Sequence, residues 1–137
     1  MSDIEVNTNP IKKPADKQSA SPELRELTSR LVEFRDARNW KQYHTLKNLV
    51  VSLNLEAAEL LELTQWLTDE QFESASTEME VSQQIKDECA DIFNYLLLIA
   101  EHHGFDLAAA AQAKIAGNEA RYPVEKAYGK STKYTRL

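Results

Sequence analysis

Residues 49–63 read Leu49-Val50-Val51-Ser52-Leu53-Asn54-Leu55-Glu56-Ala57-Ala58-Glu59-Leu60-Leu61-Glu62-Leu63. On a wheel of about 100° per residue, Leu49, Leu53, Leu60 and Leu63 share one face. That spacing predicts a helix, which the flanking pattern extends to about 45–66. Glu56 falls inside the apolar face. Glu59 lies on its edge, near the direction of Trp66, while Glu62 points away. An ionised carboxylate in an apolar stripe is costly to desolvate. The usual remedies are a shifted proton affinity, an ion-pair partner or a metal ion.

The pattern recurs downstream. A helix predicted over 78–103 carries Ile85, Ile92, Leu96 and Ile99 on one face. Glu88 sits at the margin of that face and Asp91 one turn further on, with Gln84 and Tyr95 along the same edge. Two antiparallel helices packed through these faces bring Glu56, Glu59, Glu88 and Asp91 together. Four oxygen donors without imidazole or thiolate suit a hard cation, Mg²⁺ or Mn²⁺. The rival reading is a solvated face, since Glu-x-x-Glu arises often on helices; two pairs that both intrude on apolar stripes weaken it. A carboxylate di-iron bundle needs Glu-x-x-His on two helices, and neither Glu56 nor Glu88 has a His three residues later.

Two more helices complete an all-α bundle of four. The first is predicted over 22–37, with Leu24, Leu27, Leu31 and Phe34 inward. Ser21 serves as its N-cap, Pro22 as its first residue, and Glu23 complements the positive helix end. The fourth is predicted over 107–120, capped by Asp106 and closed by Pro123. Gly104 ends the helix before it. Residues 68–77 read as a solvated loop, and the chain beyond Pro123 as irregular and basic. There is no strand pattern and no internal repeat. Residues 1–20 read as a flexible tail, leaving 21–137 as one domain.

Composition narrows the function. The chain has 137 residues, three Gly and four Pro, and three of the Pro precede residue 23, which agrees with a helical fold. A formal charge of −6 argues against a nucleic-acid partner, which would need a basic surface. Cys89 stands alone, which excludes an intramolecular disulfide and a cysteine-built zinc site; it reads as buried packing. His102 and His103 read as helix-end residues. The start, Met1-Ser2-Asp3-Ile4-Glu5, lacks a secretory pattern, and no apolar run approaches the ~20 residues of a membrane span. A cytoplasmic protein with no membrane partner is the expectation.

The run Glu56-Ala57-Ala58-Glu59 followed by Glu88-Cys89-Ala90-Asp91 resembles the E-x-x-E…E-x-x-D pattern of the all-α MazG-like nucleotide pyrophosphohydrolases. Further segments resemble the dCTP pyrophosphatase branch. They are Phe34-Arg35-Asp36-Ala37-Arg38-Asn39-Trp40 with His44 and Lys47-Asn48-Leu49, then Gln65-Trp66, then Lys114…Asn118…Arg121-Tyr122-Pro123-Val124 and Ser131-Thr132-Lys133-Tyr134. Together they cover about residues 24–136. Two departures stand out: Leu55 occupies the place of the first Glu in E-E-x-x-E, and Leu31 stands where relatives of this branch can carry a polar residue near the base pocket.

The resemblance implies cleavage of a nucleoside triphosphate between the α- and β-phosphates, with Glu56, Glu59, Glu88 and Asp91 holding Mg²⁺ and one of them serving as general base. It implies a base pocket of Trp40, His44, Trp66 and Tyr95, and phosphate- and sugar-side contacts from Lys114, Asn118 and Arg121. It also implies a homodimer or homotetramer with the site at a subunit boundary. dCTP and modified dCTP are the expected substrates, for nucleotide-pool cleaning. A sister activity on dUTP or on mixed triphosphates, and a non-catalytic helical module that binds nucleotide or protein, remain the alternatives.

Overall fold

The computed structural model describes residues 21–137, so the tail expected over 1–20 lies outside the described residues. Four long helices carry the fold: α1 (Pro22–Ala37), α2 (Leu46–Glu62), α4 (Met79–His103) and α5 (Leu107–Arg121). Two short ones, α3 (Asp69–Ala75) and α6 (Val124–Ala127), lie between and after them. Single 3₁₀ turns stand at Lys41–Tyr43 and Tyr134–Arg136. No strand occurs among the described residues.

The expected caps form. The Ser21 hydroxyl accepts from the Leu24 N–H, and the Asp106 carboxylate from the Ala109 N–H. Gly104 closes α4 in the left-handed region, at φ 78°. Thr45 caps α2 by accepting from the Asn48 N–H.

Three expectations are corrected. The second helix stops at Glu62 instead of continuing to residue 66, because the Thr64 hydroxyl donates to the Leu61 carbonyl at 2.7 Å and the chain turns. Residues 68–77 contain the helix α3. Thr68 and Gln71 form a reciprocal capping box there, and Asp69 and Glu70 fill the first turn. Beyond Pro123 the chain is partly ordered. It forms α6 and folds back on the end of α5, with the Tyr122 and Tyr134 rings edge to face at 5.8 Å and the Arg121 guanidinium 5.4 Å from the Tyr134 ring.

Helix α4 is the central element, with α2 along one side and α1 along another. The core is thin. Among the described hydrophobic residues only Leu49, Leu97, Leu98 and Ala100 are buried. Val50, Val51, Leu55 and Leu61 leave α2 with an exposed apolar flank, and every side chain from Ala109 to Tyr122 is exposed. No helix among the described residues is long and apolar enough to cross a membrane.

Candidate active site

Glu56 and Glu88 are half-buried where α2 meets α4, whereas Glu59 and Asp91 stand exposed at the rim. One carboxylate oxygen each from Glu56, Glu59 and Glu88 lies within 4.8 Å of the others. Glu56 feels Asp91 ahead of Glu88, and Glu88 feels Glu59 and, more weakly, Glu62. Partial burial, followed by repulsion from Glu59, Asp91 and Glu88, raises the Glu56 pKa. Partial burial and then Glu59, Asp91, Asp87 and Glu62 raise that of Glu88. Among the described residues none of the four is ion-paired with a lysine or arginine. Crowded carboxylates that destabilise one another's charge form a donor set for a hard cation, so these residues fit a bound Mg²⁺.

Asp91 also borders a cavity of about 460 Å³ between α1 and α4. Leu31 and Phe34 of α1 and Leu98 of α4 give it apolar walls, and Trp40, His44 and Tyr95 line it as well. The turn before α2 is pinned because the Asn48 side-chain amide donates to the Tyr43 carbonyl at 2.9 Å, and the residues just before α2 include Trp40 and His44. The Trp40 ring meets Phe34 edge to face at 5.8 Å, and the Arg38 guanidinium lies 3.6 Å over the Phe34 ring. His44 Nδ1 is buried without a hydrogen-bond partner. Burial, and then the nearby Arg35 charge, lower the His44 pKa, which favours the neutral ring.

The structure thus clusters Glu56, Glu59 and Glu88, leaves Asp91 outside that oxygen cluster but close enough to repel Glu56 and Glu88, and places Asp91 at the border of a cavity lined by Trp40, His44 and Tyr95. It keeps the other sequence candidates apart. Trp66 is 90% exposed, at φ 70° in the turn after α2, and does not line the cavity. Lys114, Asn118 and Arg121 share a face of α5 at spacings of four and three, and none of them lines it either. Cys89 is exposed, contrary to the buried packing expected, because it lies on a flank of α4 where Phe93, four residues on, is exposed as well.

Three polar lining residues were given no site role from the sequence: Arg30, Asn94 and Arg35, the last quoted only within the Phe34–Trp40 run. Asn94 follows Asp91 by three residues, so continuing the carboxylate edge one turn along α4 would have found it. Arg35 follows Leu31 by four residues on α1, a spacing that places it on the inner face.

Fold and site define a class of protein, the all-α nucleotide pyrophosphohydrolases with paired helical carboxylates. The chain belongs to the MazG-like family, which it matches over residues 51–137. It is 34% identical over 119 residues to dCTP pyrophosphatase 1 of Bos taurus and likewise to that of Homo sapiens, covering 87% of this chain and 70% of each relative. A crystal structure of a pyrophosphatase from Archaeoglobus fulgidus superposes with a TM-score of 0.68 at 37% identity, covering 79% of this chain and 99% of the other. The chain is accordingly a hydrolase of the nucleotide pyrophosphohydrolase type.

Proposed function

We propose that this enzyme converts dCTP, and dCTP with a modified base, to the monophosphate and pyrophosphate. The observation that carries the reading is the meeting of Glu56, Glu59 and Glu88 oxygens within 4.8 Å beside a cavity bordered by Asp91. The relatives named dCTP pyrophosphatase 1 support the choice of substrate.

Glu56, Glu59, Glu88 and Asp91 would hold Mg²⁺, with Mn²⁺ as the other hard cation that fits. The bound ion supplies charge neutralisation at the phosphates and an acidified water. The chain's own residues do the rest. A carboxylate of the cluster takes the proton of the attacking water as its oxygen bonds to the α-phosphorus. The bond from that phosphorus to the bridging oxygen breaks, and pyrophosphate leaves. Trp40 offers a stacking face for the base, with His44 and Tyr95 beside it. The apolar walls exclude water from the base end of the cavity.

The site is completed in this reading by a second copy of the chain. The thin core, the exposed apolar flank of α2 and the fully exposed stretch of α5 favour a homodimer or homotetramer. Such packing would bring Lys114, Asn118 and Arg121 to the phosphates of a neighbouring site, where their charge stabilises the leaving pyrophosphate. It would also let Trp66 reach a base. Residues 21–137 form the catalytic domain in this reading, and the activity belongs to the cytoplasmic nucleotide pool.

A panel of dCTP, dUTP, dTTP, dATP and dGTP, assayed for pyrophosphate with Mg²⁺ and again in excess chelator, tests the reading. Fastest release from dCTP, lost in chelator, is expected. Pyrophosphate released fastest from another triphosphate would keep the site and overturn the substrate. Binding without turnover of any triphosphate would point to a non-catalytic module.

A further inference from the structure

The cavity contains a buried charge that the reaction above leaves without a role. Arg35 lines it and is only 5% exposed. Its Nε donates to Asp36 Oδ1 at 2.7 Å and its Nη1 to Glu101 Oε2 at 3.3 Å. Among the described residues no hydrogen bond occupies Nη2. Both tethering carboxylates are themselves partly exposed, with side chains 49% and 36% accessible, so solvent is available to them and much less so to the guanidinium.

Its place along α4 is informative. Asp91, Asn94, Leu98 and Glu101 are spaced three, four and three apart, on one face of the helix. Glu101 therefore stands about 15 Å beyond Asp91 at 1.5 Å rise per residue. The carboxylate cluster marks one end of this row, and the Arg35–Glu101 pair marks the other. A nucleotide with its phosphates at the cluster and its base in the cavity would point that base along this row toward Arg35, past the apolar walls of Leu31 and Phe34.

We propose that Arg35 determines base selectivity by donating hydrogen bonds from its remaining N–H groups to the O2 and N3 edge of cytosine. A guanidinium has donors only and stays protonated. Cytosine presents two adjacent acceptors on that edge. Uracil and thymine carry a hydrogen on N3, so the same donors face a donor and one of them goes unpaired in a buried place. Sites built this way reject the mismatched analogue strongly. Arg30 and Trp40 also line the cavity with donors only, but both are exposed, so a donor left unpaired there stays solvated and discriminates weakly. The Asn94 amide can rotate, and His44 can exchange tautomers, so either can donate or accept. Leu31 offers no competing polar group. Substituents on C5 lie across the ring from this edge, so a 5-modified cytosine is read equally well.

This inference rests on the proposed dCTP reaction, and the test separates the two. The full chain is assayed for kcat/KM on dCTP and dUTP as wild type, Arg35→Gln and Arg35→Lys. The wild type favours dCTP. Arg35→Gln, whose amide accepts either base, lowers the dCTP-to-dUTP ratio by about tenfold or more, the scale of a good donor–acceptor match to a base edge. Arg35→Lys, which keeps the charge between Asp36 and Glu101 but lacks the fork, also loses discrimination. An arginine that merely ties α1 to α4 would, on removal, lower both rates together and leave the ratio unchanged; that result overturns the role of Arg35 alone. A wild type that hydrolyses triphosphates without favouring dCTP overturns the substrate reading and this inference with it. Should both variants fail to fold, the wild type is compared on dCTP and its 3-deaza analogue. A loss of about tenfold on replacing N3 by C–H is expected, and equal turnover overturns the proposal.

Discussion

Glu56 on α2 and Glu88 on α4 bring carboxylate oxygens within 4.8 Å of each other, and among the described residues neither has a cationic partner. Each carboxyl has its pKa raised, first by burial and then by its acidic neighbours. A fold that keeps this repulsion is poised for a ligand that relieves it.

Replacing Glu56 or Glu88 with Gln should therefore reduce turnover to background while leaving the helices formed, since the apolar faces remain. In excess chelator the same variants should melt a few degrees above wild type. The sign follows from the raised pKa. A carboxyl that holds its proton more tightly when folded penalises folding at neutral pH, and the penalty fades as pH falls toward 4.5, the ordinary value. Gln has no such penalty, so the gap between variant and wild type should close on acidification. Circular dichroism melts and pyrophosphate assays check both halves. Wild-type turnover in both variants would remove the carboxylates from catalysis.

His44 gives a pH dependence of opposite sign. Its pKa is lowered from 6.5 by burial and by the Arg35 charge. The unfolded chain therefore takes up the proton first, and the stability that the neutral ring contributes is present above pH 6.5 and lost as pH falls below it. Measured with Mg²⁺ present, wild type should lose stability across that window while His44→Gln does not. Parallel curves would place the ring in solvent.

Trp40→Ala removes the aromatic face of the cavity and the edge contact with Phe34. KM for dCTP should rise about tenfold, the scale of one base–aromatic stack, with a smaller change in kcat. An unchanged KM would take Trp40 out of the pocket.

Trp66 reports on assembly. At 90% exposure it should emit like an indole in water when the chain is alone. In Trp40→Phe it is the sole tryptophan, and its emission should shift to the blue as concentration rises and copies associate. Emission independent of concentration, in a chain shown by sedimentation to associate, would place Trp66 outside the interface.

The long helices were readable because their apolar spacing and caps agree. Ser21, Gly104 and Asp106 do at the helix ends what their residue types favour. The carboxylate cluster was readable because Glu56 interrupts a face that must be buried. Trp66 was misplaced on the second helix because a wheel carries on past Glu62, whereas the Thr64 hydroxyl turns the backbone. The helix α3 escaped because seven residues with only Phe72 and Ala75 apolar carry little periodicity, although Thr68 and Gln71 already spell its capping box. Arg35 and Asn94 escaped for a different reason. An arginine and an asparagine on amphipathic helices look solvated until a third element shows which side encloses a cavity.

The central claim is cleavage at the α-phosphorus by the carboxylate site. ³¹P NMR of dCTP turned over with Mg²⁺ in ¹⁸O-enriched water tests it most directly. Pyrophosphate and dCMP are expected, with the label on dCMP and no reaction in chelator. Inorganic phosphate with dCDP, label in the pyrophosphate, or undiminished turnover in chelator would contradict it.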